Sequence, residues 1–531
     1  MLTLPNGTSR ALLLLGALAT TPALASGQRA PPRTITYVYL RGVDTLGTEV
    51  LTIADSALSG VLTLRDAPRI DWSHAREGTL FGALSLRAYA SGSVAGTAPL
   101  QDAHIRIEGD SAYADISGGA SKVTKALPTK RGAVVLVNSS LVQAALIGAR
   151  AARMNQPSVD LFLSSGAQTI PATVTARGDT IVFTVATAEL RILIDANALP
   201  RDISVPSQNV RVVRATGPVS QPAPAAPINY DAPTGAPYTA MQVRIPTGRG
   251  YELAGTLTRP TLRRAMPVVV TISGSGPQER DSRLSIVPGY ALFREVADTL
   301  ARRGIATLRY DDRGIGESGG LESARTATSA DFADDVRSIV EWLRTRPDID
   351  ASRIALAGHS EGGMIAPMVA ASDPRVRAIA LLAGPAWTGR RVMMFQNREA
   401  LDAAKGLTPS TRDSIWKSVP ARLDTLALTN KWIGFFMAHD PLVTASHVNQ
   451  PVLILQGETD HQVSPEQADS LAAIMRASGN RRVTIRKFPA TNHLFLNDPS
   501  GLFTGYATLK DSHVRREVLG ALADWLVLTL R

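Results

Sequence analysis

The sequence predicts an α/β fold with a mostly parallel sheet flanked by helices, preceded by a separate β-rich antiparallel domain. The chain of 531 residues is longer than one ordinary domain. Short alternating strands fill residues 34–215, whereas apolar strands alternate with amphipathic helices from 241 onward. The proline- and alanine-rich stretch between them predicts a stiff linker. We therefore expect domains at 34–215 and 241–531, joined by a linker at 216–240.

Composition excludes several classes of protein. Hydrophobic residues make up 44% and charged residues 19%, which is typical of a folded globular chain. The chain has no cysteine, so disulfides, thiolate metal sites and a cysteine nucleophile are excluded. The net charge of +10 is spread thinly, and aromatic residues are only 5%. A nucleic-acid partner, which needs a concentrated basic face, is therefore not expected.

The first 25 residues have the layout of a secretory signal peptide. Arg10 precedes the apolar run ALLLLGAL at 11–18, and the small residues at 23–25 form an A-x-A cleavage site. The apolar run is shorter than the roughly 20 residues needed to cross a bilayer. We expect cleavage after Ala25 and export to the periplasm or the medium, with no stable membrane span after signal removal.

The β-rich domain is predicted to consist almost entirely of short strands. Runs such as TITYVYL at 34–40 and TIVFTVA at 180–186 alternate with a period of two, and glycine-containing turns separate them. This pattern is typical of an antiparallel sandwich, clam or barrel-like sheet. Residues 141–154 have helical periodicity and predict the one helix of this part.

The α/β domain is predicted to contain buried parallel strands joined by crossover helices. The predicted strands are 268–272, 306–309, 354–358, 378–382, 452–456 and 483–488. Helices are predicted at 290–302 and 329–344, and the second is expected to begin with Ser329 as its polar start signal. Amphipathic sequence at 387–447 interrupts the alternation and predicts a helical cap.

A serine lies in a tight turn between a predicted strand and a predicted helix. The sequence Gly-His-Ser-Glu-Gly at 358–362 has the G-x-S-x-G pattern, which at such a junction projects the serine at the carboxyl edge of the sheet. Ser360 is therefore the candidate nucleophile. We expect its neighbour His359 to point away from the site.

A serine hydroxyl needs a base that removes its proton and an acid that orients the base. Of the eight histidines, His493 alone lies in a loop after the last predicted strand, where the order nucleophile, acid, histidine requires the base. Asp460 follows the fifth predicted strand and is the candidate acid. Glu458 is the nearby alternative, and its position favours a turn-forming or solvent-facing role.

Acyl transfer also needs hydrogen-bond donors for the negative charge that develops on the carbonyl oxygen. One predicted donor is the backbone N–H of Glu361, directly after the serine. The second is expected from the glycine-rich loop 273–277, with Ser275 preferred and Gly274 as the alternative. The phosphate-binding patterns G-x-G-x-x-G and G-K-S/T are absent from this loop.

These residues belong to a series of motifs that resembles the α/β-hydrolase superfamily, and more narrowly the EstD-like bacterial serine esterases, grouped with dienelactone-hydrolase and acylaminoacyl-peptidase-like proteins. The motifs are SGSGPQERD (273–281), RRGIATLRYDDRGIGES (302–318), DFADDV (331–336), GHSEGGMIAPMVA (358–370) and LLAGP (381–385). The resemblance covers roughly 241–531. It implies the α/β-hydrolase fold, ester hydrolysis by the residues above and a structural role for the turn 311–314. The superfamily's usual oxyanion histidine is replaced by Ser273.

We therefore expect an exported serine carboxylesterase that acts on a small-molecule ester through an acyl-enzyme on Ser360, without metal or cofactor. Three alternatives stay open: an acylaminoacyl- or prolyl-oligopeptidase-like serine peptidase, a thioesterase or acyltransferase, and a ligand-binding protein with a vestigial hydrolase part. The sequence leaves the natural substrate, the role of the β-rich domain and the oligomeric state undetermined.

Large apolar residues of the cap are expected either to line an acyl pocket or to pack the cap's own core. They are Trp387, Met393, Met394, Phe395, Trp416, Trp432, Phe435, Phe436 and Met437.

Overall fold

The computed structural model describes residues 31–531, with gaps at 43, 66, 78–79, 90–92, 94–96, 119–120, 165–167, 186–187, 220–227, 262–264 and 405–407. The predicted signal peptide at 1–25 lies outside the described residues, and so does part of the predicted linker. None of the helices in the described part of the chain is long and apolar enough to span a bilayer.

The N-terminal strands form one continuous, mostly antiparallel sheet. The described residues contain 15 strands of this sheet, and β1 and β15 pair at its centre. From this central pair, β2 to β8 extend outward on one side and β14 to β9 on the other; the described neighbours pair antiparallel except β9 with β10. The strands are β1 (Arg33–Arg41), β2 (Asp44–Ile53), β3 (Ala57–Leu64), β4 (Arg69–Glu77), β5 (Leu80–Tyr89), β6 (Gln101–Glu108), β7 (Ser111–Gly118), β8 (Ser121–Pro128), β9 (Val134–Leu136), β10 (Ser158–Leu163), β11 (Gln168–Arg177), β12 (Thr180–Val185), β13 (Ala188–Ile194), β14 (Pro200–Val205) and β15 (Val210–Arg214).

The buried carboxylate of Glu49 links the helix of this region to its sheet through hydrogen bonds. Helix α1 (Leu141–Arg153) packs against β11 to β14. At its start, Ser140 donates to Glu49 at 2.6 Å, and Trp72 of β4 donates to the same Glu49 oxygen at 2.8 Å. Burial raises the pKa of Glu49. Because these donors come from the helix and from the other half of the sheet, the contact links the two halves.

The C-terminal sheet has eight strands in the order β16-β17-β19-β18-β20-β21-β22-β23 within the described residues. The six predicted strands are present and form its parallel part, whereas β16 and β17 are an unpredicted antiparallel hairpin that pairs with β19. The strands are β16 (Tyr238–Pro246), β17 (Glu252–Pro260), β18 (Met266–Ile272), β19 (Ala306–Tyr310), β20 (Ile349–His359), β21 (Ala378–Leu382), β22 (Val452–Gly457) and β23 (Val483–Phe488).

Helices cover both faces of this sheet, and the predicted mostly parallel α/β architecture is confirmed. They are α2 (Leu292–Ala301), α3 (Leu321–Ala324), α4 (Ser329–Arg344), α5 (Glu361–Ala370), α6 (Gly389–Ala403), α7 (Pro409–Thr429), α8 (Lys431–Ala438), α9 (Pro441–Ala445), α10 (Glu466–Ala477) and α11 (Arg516–Thr529). Helix α4 has the predicted bounds. Its cap, however, is Thr328 rather than Ser329, because Thr328 and Asp331 form a reciprocal capping box.

Within the described residues, the N-terminal sheet contacts the C-terminal half through Arg41 and through the turn that precedes β15. The Arg41 guanidinium donates to the carbonyl oxygen of Ser285, and the 3-10 turn Pro206–Gln208 lies against the 3-10 helix Phe503–Thr508. Helices α6 to α9 lie between β21 and β22, in the region of the predicted cap.

Candidate active site

Ser360 lies in a strained turn between β20 and α5. Its φ of 53° and ψ of −118° are rare for a residue with a side chain, and such strain is found at functional turns. Two glycines make the turn sterically feasible. A Cβ at Gly358 would lie 1.9 Å from the carbonyl oxygen of Gly362, and a Cβ at Gly362 would lie 2.1 Å from that of Ile272. The turn therefore has the strand-turn-helix geometry expected of a nucleophile elbow.

His493 and Asp460 form a buried hydrogen-bonded pair. The Nδ1 atom of His493 donates to Oδ2 of Asp460 at 2.8 Å, and both residues are almost fully buried. The backbone amides of Gln462 and Val463 and the side-chain amide of Gln456 also donate to this carboxylate. With Nδ1 committed to the carboxylate, Nε2 is the ring nitrogen left to accept a proton.

The preceding residue, Asn492, stabilises the loop that contains His493 through three hydrogen bonds. The side-chain oxygen of Asn492 accepts from the backbone amides of Leu494 and Leu496, at 3.0 and 3.1 Å. Its amide nitrogen donates to Asp498 at 3.2 Å. The asparagine therefore fixes the turn in which His493 lies. This role was not predicted, although asparagine in a loop is a known turn former.

One cavity of about 340 Å³ brings these residues together at the carboxyl edge of the parallel strands. Ser360, His493, Gly274, Ser275 and Glu361 all line it. Within the described chain, no hydrogen bond joins Ser360 Oγ to His493 Nε2. Such bonds commonly shorten only in the substrate complex. The predicted nucleophile and base thus share one cavity, while Asp460 lies behind the histidine.

The candidate oxyanion donors lie around Ser360. Glu361 begins helix α5, so its backbone N–H is among the amides left unbonded at a helix start. A Cβ at Gly274 would lie 3.2 Å from the Cβ of Ser360, so a glycine lets this loop approach the serine closely. Gly274 and Ser275 both line the cavity, and their roles as alternative second donors stay predictions.

Asp312 holds the glycine loop in place. Ser273 Oγ donates to the Asp312 carboxyl group at 2.9 and 3.1 Å, and the backbone amide of Gln278 donates to the same group at 3.2 Å. Burial raises the pKa of Asp312 well above its usual range. The neighbouring Asp311 pairs with Arg280 at 2.6 Å, with both side chains fully buried. The turn at 311–314 thus links strand β19 to the loop beside Ser360.

Cap helix α8 is bonded to the nucleophile turn. Trp432 Nε1 donates to Oε1 of Glu361 at 2.8 Å, and Ser329 Oγ donates to the same oxygen at 2.6 Å. Trp432 also stacks on Phe436, with ring centroids 5.5 Å apart and planes 11° from parallel. Both aromatic rings line the cavity. Sequence reasoning missed the bond because its partners are far apart along the chain.

The large apolar residues of the cap divide between the two expected roles. Met393 lines the cavity together with Trp432 and Phe436. In contrast, Met394, Trp416 and Met437 pack around Val419 and Leu423 in the cap's own core. The remaining three make other ring contacts. Trp387 packs edge-on against Phe395, and Phe435 stacks on His439.

His359 does not point away from the site, so that expectation is wrong. Its Nε2 donates to the carbonyl oxygen of His493 at 2.9 Å, and the two imidazole rings are 4.9 Å apart. The His359 ring also lines the cavity that contains Ser360. Burial, together with the nearby His493, lowers the pKa of His359 to about 3. The ring is therefore neutral and supports the His493 loop.

The alternative acid does not reach the histidine. Glu458 is exposed, and its backbone amide donates to the carbonyl oxygen of Phe488. His461 instead contacts Glu399 of helix α6. In the part of the chain that the structure describes, no group of three or more His, Asp or Glu side chains has a metal-binding arrangement.

Comparisons with known proteins agree with this architecture. Residues 286–443 match the family described as serine aminopeptidase S33. Esterase EstD from Thermotoga maritima is 27% identical over 282 residues, which cover 52% of this chain and 65% of the esterase. A thiohydrolase from Arthrinium phaeospermum is 37% identical over 92 residues, covering 17% of this chain and 30% of that protein. The chain thus spans less than two thirds of either relative's length.

Among solved structures, the esterase Pf2001 from Pyrococcus furiosus aligns with a TM-score of 0.37 and 17% identity, over 49% of this chain and 86% of that one. The C-terminal region, with its eight-stranded sheet and its serine turn, has the predicted α/β-hydrolase fold. The resemblance to the EstD-like group that the sequence motifs predicted is confirmed.

Proposed function

We propose that this protein is an exported serine esterase that cleaves small-molecule carboxylic esters through an acyl-enzyme on Ser360. One observation carries the proposal: Ser360 and His493 line one cavity at the carboxyl edge of the sheet, and Asp460 is bonded to His493 behind it. The similarity to an esterase over half of the chain supports the same reaction.

In the proposed mechanism, Ser360 Oγ attacks the ester carbonyl carbon while His493 Nε2 takes the hydroxyl proton. The C=O π electrons move to the carbonyl oxygen, where the amide of Glu361 and one from Ser275 or Gly274 stabilise the charge. The tetrahedral intermediate collapses, and His493 returns the proton to the departing alcohol. Water then attacks the acyl-enzyme with His493 again as base, releasing the acid and restoring Ser360.

Asp460 has a fixed role in both steps. It accepts the Nδ1 hydrogen, holds the imidazole in the tautomer that leaves Nε2 free, and stabilises the imidazolium formed when the proton is taken. The three further donors, the backbone amides of Gln462 and Val463 and the side-chain amide of Gln456, hold its carboxyl group in this orientation without a metal or an organic cofactor. The reaction therefore needs the substrate and water only.

A thioester substrate is the second candidate, because a stretch of 92 residues is 37% identical to a thiohydrolase. The same serine and base would act, and only the leaving group would differ. Because residues 286–443 match a family described as serine aminopeptidase, peptides are a third candidate class of substrate. Parallel assays with p-nitrophenyl acetate, an acyl thioester and an aminoacyl-naphthylamide rank the three.

The decisive experiment replaces Ser360 with alanine in the mature protein and measures p-nitrophenyl acetate turnover. We expect the variant to keep its circular dichroism spectrum and to lose at least about 10³-fold in kcat. Ser470→Ala, at a partly exposed position of helix α10 that is not among the residues lining the cavity, serves as the control and should retain full activity. Unchanged turnover in the Ser360 variant would contradict the proposal.

Export is tested separately. The full-length chain should yield an extracytoplasmic protein whose first residue is Ser26. A variant with Arg inserted into the apolar run at 11–18 should remain in the cytoplasm with its leader uncleaved. A mature protein that retains Met1 would contradict the proposed export.

A further inference from the structure

Two residues in the wall of the cavity that contains Ser360 have buried hydroxyl groups without a hydrogen-bond partner. Ser282 and Tyr290 are 4% and 2% exposed, and neither the serine Oγ nor the tyrosine OH makes a hydrogen bond within the described chain. Both residues line the cavity that contains Ser360. A buried polar group without a partner costs roughly 1–3 kcal/mol, so such groups require an explanation.

The two hydroxyl groups belong to one structural unit. Arg283 and Ala291 form an antiparallel bridge across a loop between β18 and α2. Ser282, Leu284 and Tyr290 lie next to this bridged pair, and all three line the cavity. One loop thus contributes two hydroxyl-bearing residues and one apolar residue to the same wall.

Backbone strain supports a specific role for Ser282. Its φ is 53°, a left-handed conformation that residues with side chains rarely adopt. Its amide donates to the carbonyl oxygen of Glu279 at 2.9 Å, which keeps the turn in this conformation. A strained residue with an unpartnered hydroxyl, in the wall of the cavity that contains Ser360, is typical of functional positions.

The charge of the cavity defines the class of ligand. No lysine or arginine is among the described residues that line it, and its one carboxylate, Glu361, already accepts from Trp432 and Ser329. The glutamines in the wall are also engaged, since Gln396 donates to the carbonyl oxygen of Gln462. A charged substituent would find no counterion there. A neutral hydroxyl, which both donates and accepts, fits two unpaired hydroxyl groups.

We propose that Ser282 and Tyr290 form a subsite for a hydroxyl group of the substrate, remote from the bond that is cleaved. The preferred substrates are accordingly neutral esters that carry a hydroxyl on the acyl or the alcohol portion. This inference rests on the proposed esterase function. It adds to that function a recognition element separate from Ser360, His493 and Asp460.

The test compares esters that differ only by a hydroxyl group. Methyl hexanoate is compared with methyl 3-hydroxyhexanoate and methyl 6-hydroxyhexanoate, and butyl butanoate with 4-hydroxybutyl butanoate, by pH-stat titration. We expect at least one hydroxylated ester to have a kcat/KM about tenfold above its unsubstituted partner, as one buried hydrogen bond provides. The pair that shows the preference identifies the portion of the ester that reaches the subsite.

Two variants remove the hydroxyl groups without changing shape. Ser282→Ala and Tyr290→Phe should abolish the preference while leaving turnover of the unsubstituted ester within about twofold. Their melting temperatures should be unchanged or higher, because an unpartnered hydroxyl is removed. Thr307→Val is the matched control, since Thr307 Oγ1 is also buried and unpartnered but lies outside the residues that line the cavity.

Three outcomes would overturn the subsite: no preference in the wild type, a preference that survives in both variants, or an equal loss for hydroxylated and unsubstituted esters. In each case, the proposed esterase function is still supported if the unsubstituted esters are hydrolysed by the wild type and not by Ser360→Ala. A wild-type protein that hydrolyses none of the esters overturns both proposals.

Discussion

Trp432 in the cap and Glu361 in the nucleophile turn are joined by a hydrogen bond of 2.8 Å between the indole nitrogen and a carboxylate oxygen. Glu361 is only 3% exposed, so its carboxylate depends on this donor and on Ser329. The backbone N–H of the same residue is the proposed oxyanion donor. The position of the cap and the geometry beside Ser360 are therefore coupled through one residue.

Trp432→Phe keeps an aromatic ring beside Phe436 but removes the donor. We expect kcat for p-nitrophenyl acetate to fall about tenfold, because a buried carboxylate loses one of its two side-chain partners and the turn shifts. Trp416→Phe is the control, since Trp416 packs in the cap's core and has no bond to Glu361. Equal activity of the two variants would contradict the coupling.

Asp460→Asn preserves the shape of the acid but not its charge. The amide no longer stabilises an imidazolium at His493, and its NH₂ group favours the wrong tautomer. We expect kcat to fall by at least about 10³-fold with little change in KM. Glu458→Gln, at the exposed alternative acid, should leave kcat unchanged. A larger loss in the Glu458 variant would reverse the assignment of the acid.

Ser273→Ala breaks the bond that anchors the glycine loop to Asp312. The buried carboxyl group loses a donor, so we expect the free energy of unfolding to fall by about 1–3 kcal/mol and kcat to fall as the loop loosens. Urea denaturation and steady-state kinetics measure the two effects. Ser273→Thr keeps the hydroxyl and should have the free energy of unfolding and the kcat of the wild type. Failure of threonine to restore activity would indicate that Ser273 does not act through this bond.

His359 predicts a change of stability with pH. Burial lowers its pKa in the folded protein to about 3, whereas the ordinary value is 6.5. Below pH 6.5 the His359 imidazole is protonated in the unfolded chain but stays neutral in the folded chain. The contribution of His359 to the free energy of unfolding is therefore fully present above pH 6.5. It is lost as the pH falls toward about 3, with a slope of up to about 1.4 kcal/mol per pH unit.

The measurement compares the free energy of unfolding of the wild type and His359→Gln between pH 4 and 7. The variant should be less stable at neutral pH, because the bond to the His493 carbonyl is altered, but its stability should depend less on pH. Parallel pH profiles for the two proteins would show that His359 is not the group responsible.

Local sequence signals predicted the parts of the site that depend on neighbouring residues. The glycines around Ser360 follow from the steric demands of one tight turn, and the strands and helix α4 follow from apolar periodicity. The prediction that His359 points away was wrong, because its ring bonds to the carbonyl oxygen of His493, which is distant in the chain. The bonds of Asp312 to Ser273 and of Trp432 to Glu361 likewise join distant residues, so no local pattern indicates them.

The antiparallel hairpin β16–β17 was also not predicted. It begins at Tyr238, inside the stretch whose prolines indicated a linker, and its pairing with β19 is a long-range contact. In the N-terminal half, alternation predicted strands but not their order. The pairing of β1 with β15 closes a long loop of chain, and no local signal determines it.

The contacts of the N-terminal sheet fall on the segments that form the cavity wall. Arg41 touches Ser285, next to Leu284, and the turn at Pro206–Gln208 lies against the helix that contains Phe503 and Tyr506. Because these contacts support the wall of the cavity, we expect changes in the N-terminal sheet at Arg41 or at Pro206–Gln208 to alter which substrates the proposed esterase accepts, while Ser360, His493 and Asp460 stay unchanged.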